Sequence, residues 1–175
     1  DFDEFWFPLK SFLINTINKI EVISPSGENV TIKQKDYIVC RTRFDNFFAD
    51  LARKAGAKIL VNHSFTRKEG EALVINNSLT NKEIKITPDL VIGADGPLSP
   101  TAKAYGFYHP DRKNYYGVQA VVEGKFDSKK IQTYFGSSLC PGLFAWIVPE
   151  SSTTARVGVA TMNNSRYYFD KFMKE

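Results

Sequence analysis

"DLVIGADGPLSPTAKAYG", Asp89 to Gly106, decides how this sequence is read. An apolar run, Leu90-Val91-Ile92, ends in Gly93-Ala94-Asp95-Gly96 and reads as a buried strand closing in a sharp turn. A helix is expected within Pro97–Tyr105, its start delayed by Pro97 and Pro100. A strand, turn and helix start in this order places backbone amides and a carboxylate beside a ligand. Yet the chain has no G-x-G-x-x-G, with which a dinucleotide-binding domain normally opens.

Upstream of this stretch the pattern changes twice. "INKIEVISPSGENVTIKQKDYIVCR" predicts strands near Ile17–Ser24, Asn29–Lys33 and Tyr37–Cys40, with a turn at Pro25-Ser26-Gly27. From Arg43 to Ala55 the apolar residues Phe44, Phe47, Phe48, Leu51 and Ala55 follow the spacing of an amphipathic helix, stopped by Gly56. Lys58–Val61 reads as a short buried strand followed by a turn at His63–Phe65. A three-stranded meander is expected between there and Pro88, with turns at Glu69-Gly70 and Asn81. The last third predicts strands at Tyr116–Glu123, Ile131–Phe135, Leu143–Pro149 and Ala155–Thr161. A closing helix at Arg166–Met173 carries Tyr168, Phe169 and Phe172 on one side.

The order implies an α/β fold with antiparallel β: part of a doubly wound domain and a β-rich lobe, with ligand between them. The expected divisions are 1–40 for the first β segment of the lobe, 41–110 for the partial doubly wound domain, and 111–175 for the second β segment. Composition agrees with an ordinary globular chain: 43% hydrophobic, 24% charged, and 23 Lys+Arg against 19 Asp+Glu. That mild positive excess, without a basic run, argues against nucleic acid and is compatible with a phosphorylated ligand or an anionic membrane surface. Cys40 and Cys140 stand a hundred positions apart with no C-x-x-C and no neighbouring His, which argues against a zinc site and leaves a disulfide open, with buried free thiols as the default expectation. No apolar run is long enough to span a bilayer as a helix.

Three stretches carry a resemblance. "DLVIGADGPLSP" is similar to the Asp-Gly motif of flavoproteins with the para-hydroxybenzoate hydroxylase fold, and "CRTRFDNFFADLARKAGAKIL" resembles their R-x-x-F-D helix. "TYFGSSLCPGLFAWIVPESSTTARVGVAT" is similar to the F-x-G…P-G-[YF]-x-W-x-[FV]-P…A-x-V-G pattern of the geranylgeranyl reductase family. The resemblance runs from about Ile17 onward. It implies a middle fragment, lacking the N-terminal Gly-rich turn and the later Gly-Asp segment that closes over the flavin. FAD binding by these residues alone is therefore expected to be weak or absent.

On this resemblance FAD is the cofactor, with Arg41, Phe65, Ala94, Asp95 and Gly96 as the residues nearest to it. Arg41 offers paired donors to phosphate or flavin oxygens; the plainer reading is a surface pair with Asp45. Asp95 can accept from a cofactor hydroxyl, or simply brace its own turn. Gly96 permits close backbone approach, and Ala94 and the Phe65 region would contribute main-chain atoms. Gly142, Phe144, Trp146, Val148 and Pro149 form the expected substrate wall. By strand alternation Phe144, Trp146 and Val148 share one face, while Leu143, Ala145 and Ile147 share the other. The plainer reading is an ordinary aromatic core. Phe144 stands where the family commonly has Tyr, and Val148 where it has Phe, which changes slot width and polarity. His63 and His109 have no evident partners, and no catalytic residue is assigned.

The implied activity is FAD-dependent saturation of isoprenoid C=C bonds in prenyl lipids. Electrons would come from a donor such as NAD(P)H or ferredoxin, in a cytoplasmic enzyme that visits the membrane surface. The alternatives are an aromatic monooxygenase using O2 and a non-catalytic prenyl- or lipid-binding protein of the same fold. Oligomeric state is not indicated.

Overall fold

The computed structural model describes residues 8–174 and divides the chain into two compact units. The first comprises the stretch up to Asp50 together with that from Lys113 onward. It opens with a short helix, α1 (Leu9–Phe12), and a long hairpin of β1 (Leu13–Ile23) and β2 (Asn29–Val39). Helix α2 (Arg41–Lys54) follows and runs into the second unit. The two strands expected at Asn29–Lys33 and Tyr37–Cys40 are one, ending at Val39. β1 pairs with β2 over its whole length, and the register shift between Ile17 and Lys19 absorbs Gln34 and Lys35, while a second shift lies near the far end, between Leu13 and Asn15.

After the second unit the chain returns with β6 (Tyr116–Glu123), β7 (Lys130–Tyr134), β8 (Ala145–Pro149), β9 (Thr154–Thr161) and α4 (Ser165–Phe172). All six strands of this unit form one sheet in the order β2-β1-β7-β8-β9-β6. The seam between the two chain segments is the β1–β7 pair, the parallel exception in an otherwise antiparallel sheet. Side chains secure that seam. The Asn15 amide donates to Ser128 O (2.7 Å) and Pro149 O (3.0 Å), and Glu21 accepts from both Lys130 and Gln132 at 2.8 Å. The Lys130 hydrogen bond, then that of Gln132, holds the Glu21 carboxyl below its ordinary range.

Helix α4 packs on β9 and β6. Its Phe169 and Phe172 enter a core made by Leu139, Cys140, Ala145, Val157 and Val159. Tyr134 meets Phe172 edge-on at 5.1 Å. Burying each of these phenylalanines contributes about 1.5–3 kcal/mol, which is why the apolar side of this short helix fixes its place.

The second unit, Leu51–Arg112, holds the end of α2 and a separate three-stranded sheet. Its strands are β3 (His63–Glu69), β4 (Ala72–Asn77) and β5 (Glu83–Ile86), and helix α3 (Pro100–Ala104) follows. The meander and its turns stand as expected, with Gly70 and Asn81 at positive φ, and Gly56 (φ +95°) ends α2. The expected turn at His63–Phe65 is instead the start of β3. The chain reverses one residue earlier at Asn62 (φ 58°), where His63 Nδ1 donates to Val61 O (2.7 Å) and Nε2 faces Asn77.

Two expected buried strands do not form. Lys58–Val61 and Leu90–Ile92 are outside any sheet, and Leu90 and Ile92 are 77% and 83% exposed. A strand of this kind exists only where neighbours complete its hydrogen bonds, and no described residues pair with either run.

Candidate functional site

In the second unit the Asp-Gly turn is built around one carboxylate. Asp95 Oδ1 accepts a hydrogen bond from the Ser99 hydroxyl, and Oδ2 accepts from Thr101 N at 2.8 Å. Ser99 in turn caps α3, its Oγ accepting from Ala102 N at 2.9 Å. These bonds, Ser99 first and the Thr101 amide second, pull the Asp95 carboxyl down to about 2. A depressed carboxylate stabilises the fold above its ordinary pKa and loses that contribution as pH falls through the depressed value. The turn and α3 should therefore hold at pH 4 and loosen towards pH 2; a carbonyl-carbon NMR titration of Asp95 with its midpoint near 4 would contradict this.

Asp95 thus braces its own loop, and the loop presents backbone outward. Gly96 sits at φ +85°, which favours glycine, with open space where a Cβ would project. Ala94 beside it is exposed. A cleft of about 390 Å³ lies alongside, lined by Val91, Ile92, Gly93, Ser99, Tyr105 and Phe107 among others. Phe65 is half-buried in β3, opposite Ile75.

Arg41 opens α2, and its guanidinium donates to Asp45 at 3.1 Å with 72% of its side chain exposed. An exposed i,i+4 pair is worth about 0.3–0.5 kcal/mol, too little to keep Arg41 from an anionic ligand. Just before it lies Cys40, half-buried rather than buried. The Arg43 amide, then its guanidinium, lowers that thiol's pKa. Cys140 is the opposite case. It is buried, its Sγ donates to Tyr134 O (3.3 Å), and burial pushes its thiol up.

In the first unit the sheet register decides which wall residues meet. One row crosses all six strands: Val30, Val22, Thr133, Trp146, Gly158 and Gln119. Paired residues share a face, so Trp146 lies opposite the α4 core, to which Ala145 and Ile147 belong. The Trp146 indole rests against Gly158, a contact that a Cβ there would not permit, and its Nε1 donates to Gln119 Oε1 at 3.0 Å. Phe144 continues the aromatic line, 5.8 Å from Trp146 and 6.0 Å from Phe135. Val148 follows Trp146 by alternation on the same face, opposite Arg156.

Pro149 does not join them. It has the other parity, is fully buried, and its carbonyl accepts from Asn15. Gly142 precedes β8 at φ +88°, against Met162 and Tyr115. Sequence reasoning missed Phe135, Gln119 and Gly158 as parts of this wall. Phe135 stands in the quoted motif stretch directly before Gly136, and Gly158 closes the A-x-V-G motif, whereas Gln119 is brought in by register alone. Among the described residues no cluster of three or more His, Cys, Asp or Glu could hold a metal ion. No described helix is long and apolar enough to cross a membrane, which leaves β-barrels aside.

Residues 23–174 match the family model described as FAD binding domain. The chain belongs to the FAD-binding domain family. Similar proteins include the digeranylgeranylglycerophospholipid reductases of Methanocaldococcus jannaschii and Methanococcoides burtonii. The first is 29% identical over 95% of this chain and 46% of its own length, the second 26% over 94% and 42%. This FAD-binding domain chain therefore spans less than half the length of the curated relatives it matches. A geranylgeranyl bacteriochlorophyll reductase-like structure from Thermoplasma acidophilum shares the fold, with a TM-score of 0.81 and 23% identity over 94% of this chain and 47% of that one. A flavin-dependent halogenase, CmlS, shares it more distantly, with a TM-score of 0.67 and 16% identity over 91% and 33%.

Proposed function

We propose that this chain supplies the substrate wall and part of the flavin-holding loop of an FAD-dependent reductase of prenyl lipids. The observation that carries the reading is the aromatic line Phe135–Phe144–Trp146 on the sheet face opposite α4. The names of the similar reductases support it. FAD, when bound and reduced, supplies the hydride that saturates a C=C bond.

The residues present fit that cofactor. Gly96 leaves room for a ligand to approach the backbone, and the weakly held Arg41 can turn to phosphate oxygens. Asp95 contributes by fixing the loop, since both its oxygens are engaged within it. Phe144, Trp146 and Val148 offer an apolar surface on which a branched hydrocarbon displaces water and lies in a defined orientation.

The test is the visible spectrum of the whole protein, then anaerobic reduction and addition of a geranylgeranyl lipid. Reoxidation with loss of substrate double bonds is the expected result. Trp146→Ala should lower turnover by about tenfold, some 1.4 kcal/mol of lost positioning, with flavin content retained. A flavin that reacts only with O2 would move the protein to the monooxygenases, and a colourless protein would sink the enzyme.

A further inference from the structure

We infer that Gln119 reads an oxygen of the lipid at the end of the aromatic wall, orienting the hydrocarbon chain along it. The inference rests on the reductase reading for its substrate class, but its geometry is independent of that reading. Indole Nε1–H is a donor only. The Gln119 atom 3.0 Å from it must therefore be the carbonyl oxygen, which fixes the direction of the carboxamide. The NH2 group is then turned away from Trp146. Gln119 is exposed and stands next to Gly158, on the face that carries Trp146.

The wall thus combines three ring systems, Phe135, Phe144 and Trp146, with a single oriented amide donor beyond the indole. Neither neighbour in the row competes for that donor, because Gly158 has no side chain and Trp146 accepts no hydrogen bond through its N–H. A pure hydrocarbon has no use for this donor. A ligand with an isoprenoid chain and an ether or phosphate oxygen at one end does. The oxygen would set which end of the chain lies at Gln119, and hence which double bond is presented for reaction. Gln119 is a specificity residue here, with Trp146 as its anchor.

Two variants separate the roles in the whole protein. Gln119→Glu keeps an acceptor for the indole and removes the NH2 donor, while Gln119→Leu removes both. Equilibrium binding is measured for three ligands: a geranylgeranyl glyceryl ether, its phosphate ester and the geranylgeranyl hydrocarbon without oxygen. The expected result is that both variants weaken the ether about fivefold, one hydrogen bond's worth, and leave the hydrocarbon unchanged. Tryptophan emission should shift in Gln119→Leu only. A loss confined to the phosphate ester in Gln119→Glu would mean charge repulsion alone and overturn the inference, as would equal effects on ether and hydrocarbon or no effect on either. The expected losses on the ether in both variants, with no reduction of any double bond by the wild type, would overturn the reductase reading and uphold Gln119.

Discussion

Replacing Phe12 by alanine will cost about 3–5 kcal/mol of unfolding free energy, the range for truncating a fully buried phenylalanine. The ring is completely excluded from solvent. It meets Phe44 edge-on at 5.2 Å and Phe47 at 5.9 Å, so it is one point at which α2 is fastened. Two hydrogen bonds attach the same junction: Cys40 N donates to Phe12 O at 2.8 Å, and Arg43 Nη1 donates to Ser11 O at 2.9 Å. Those bonds outlast the truncation, but the helix start that carries Arg41 would lose its packing reference. Urea unfolding should show the lowered midpoint, and Phe12→Leu should recover more than half of the loss. A change below 1 kcal/mol would mean that α2 is held by something other than this ring.

Gly158→Ala should cost about 3 kcal/mol, the upper part of the usual range for overpacking. A Cβ at this position would come to 2.5 Å from Trp146 Cε2 and nearer still to Cζ2. Its backbone is ordinary for a strand, so the effect is steric and owes nothing to conformational freedom. The indole must lift off the sheet, losing its bond to Gln119 and breaking the line with Phe144. Pairing Gly158→Ala with Trp146→Ala should then cost less than the sum of the single changes, a non-additivity that a double-mutant cycle reads directly. Strict additivity would mean that the indole does not rest on Gly158.

Local chemistry made much of this legible. The stripe of Phe44, Phe47, Phe48 and Leu51 and the stop at Gly56 describe α2 closely, because an amphipathic helix is specified within its own turns. The meander was readable for the same reason: its turns are marked by Gly70 and Asn81, and its strands pair with their immediate neighbours. The same reasoning failed at Leu90–Ile92 and Lys58–Val61. An apolar run states that it can be buried, but its burial depends on partners distant in sequence.

The sequence by itself determined α2, the meander and most strands of the larger sheet, the alternation that puts Phe144, Trp146 and Val148 on one face, and the family motifs around Asp95 and Trp146. Only the tertiary structure decided what those motifs touch. Asp95 turns inward to Ser99 and Thr101, Pro149 falls on the buried side, and Gln119 reaches Trp146 from 27 residues away in the chain. The physical reason is that periodicity fixes a side chain's face within one strand. Its neighbour on that face is set by cross-strand register, which brings Gln119 to Trp146 through the antiparallel β6–β9 and β9–β8 pairs.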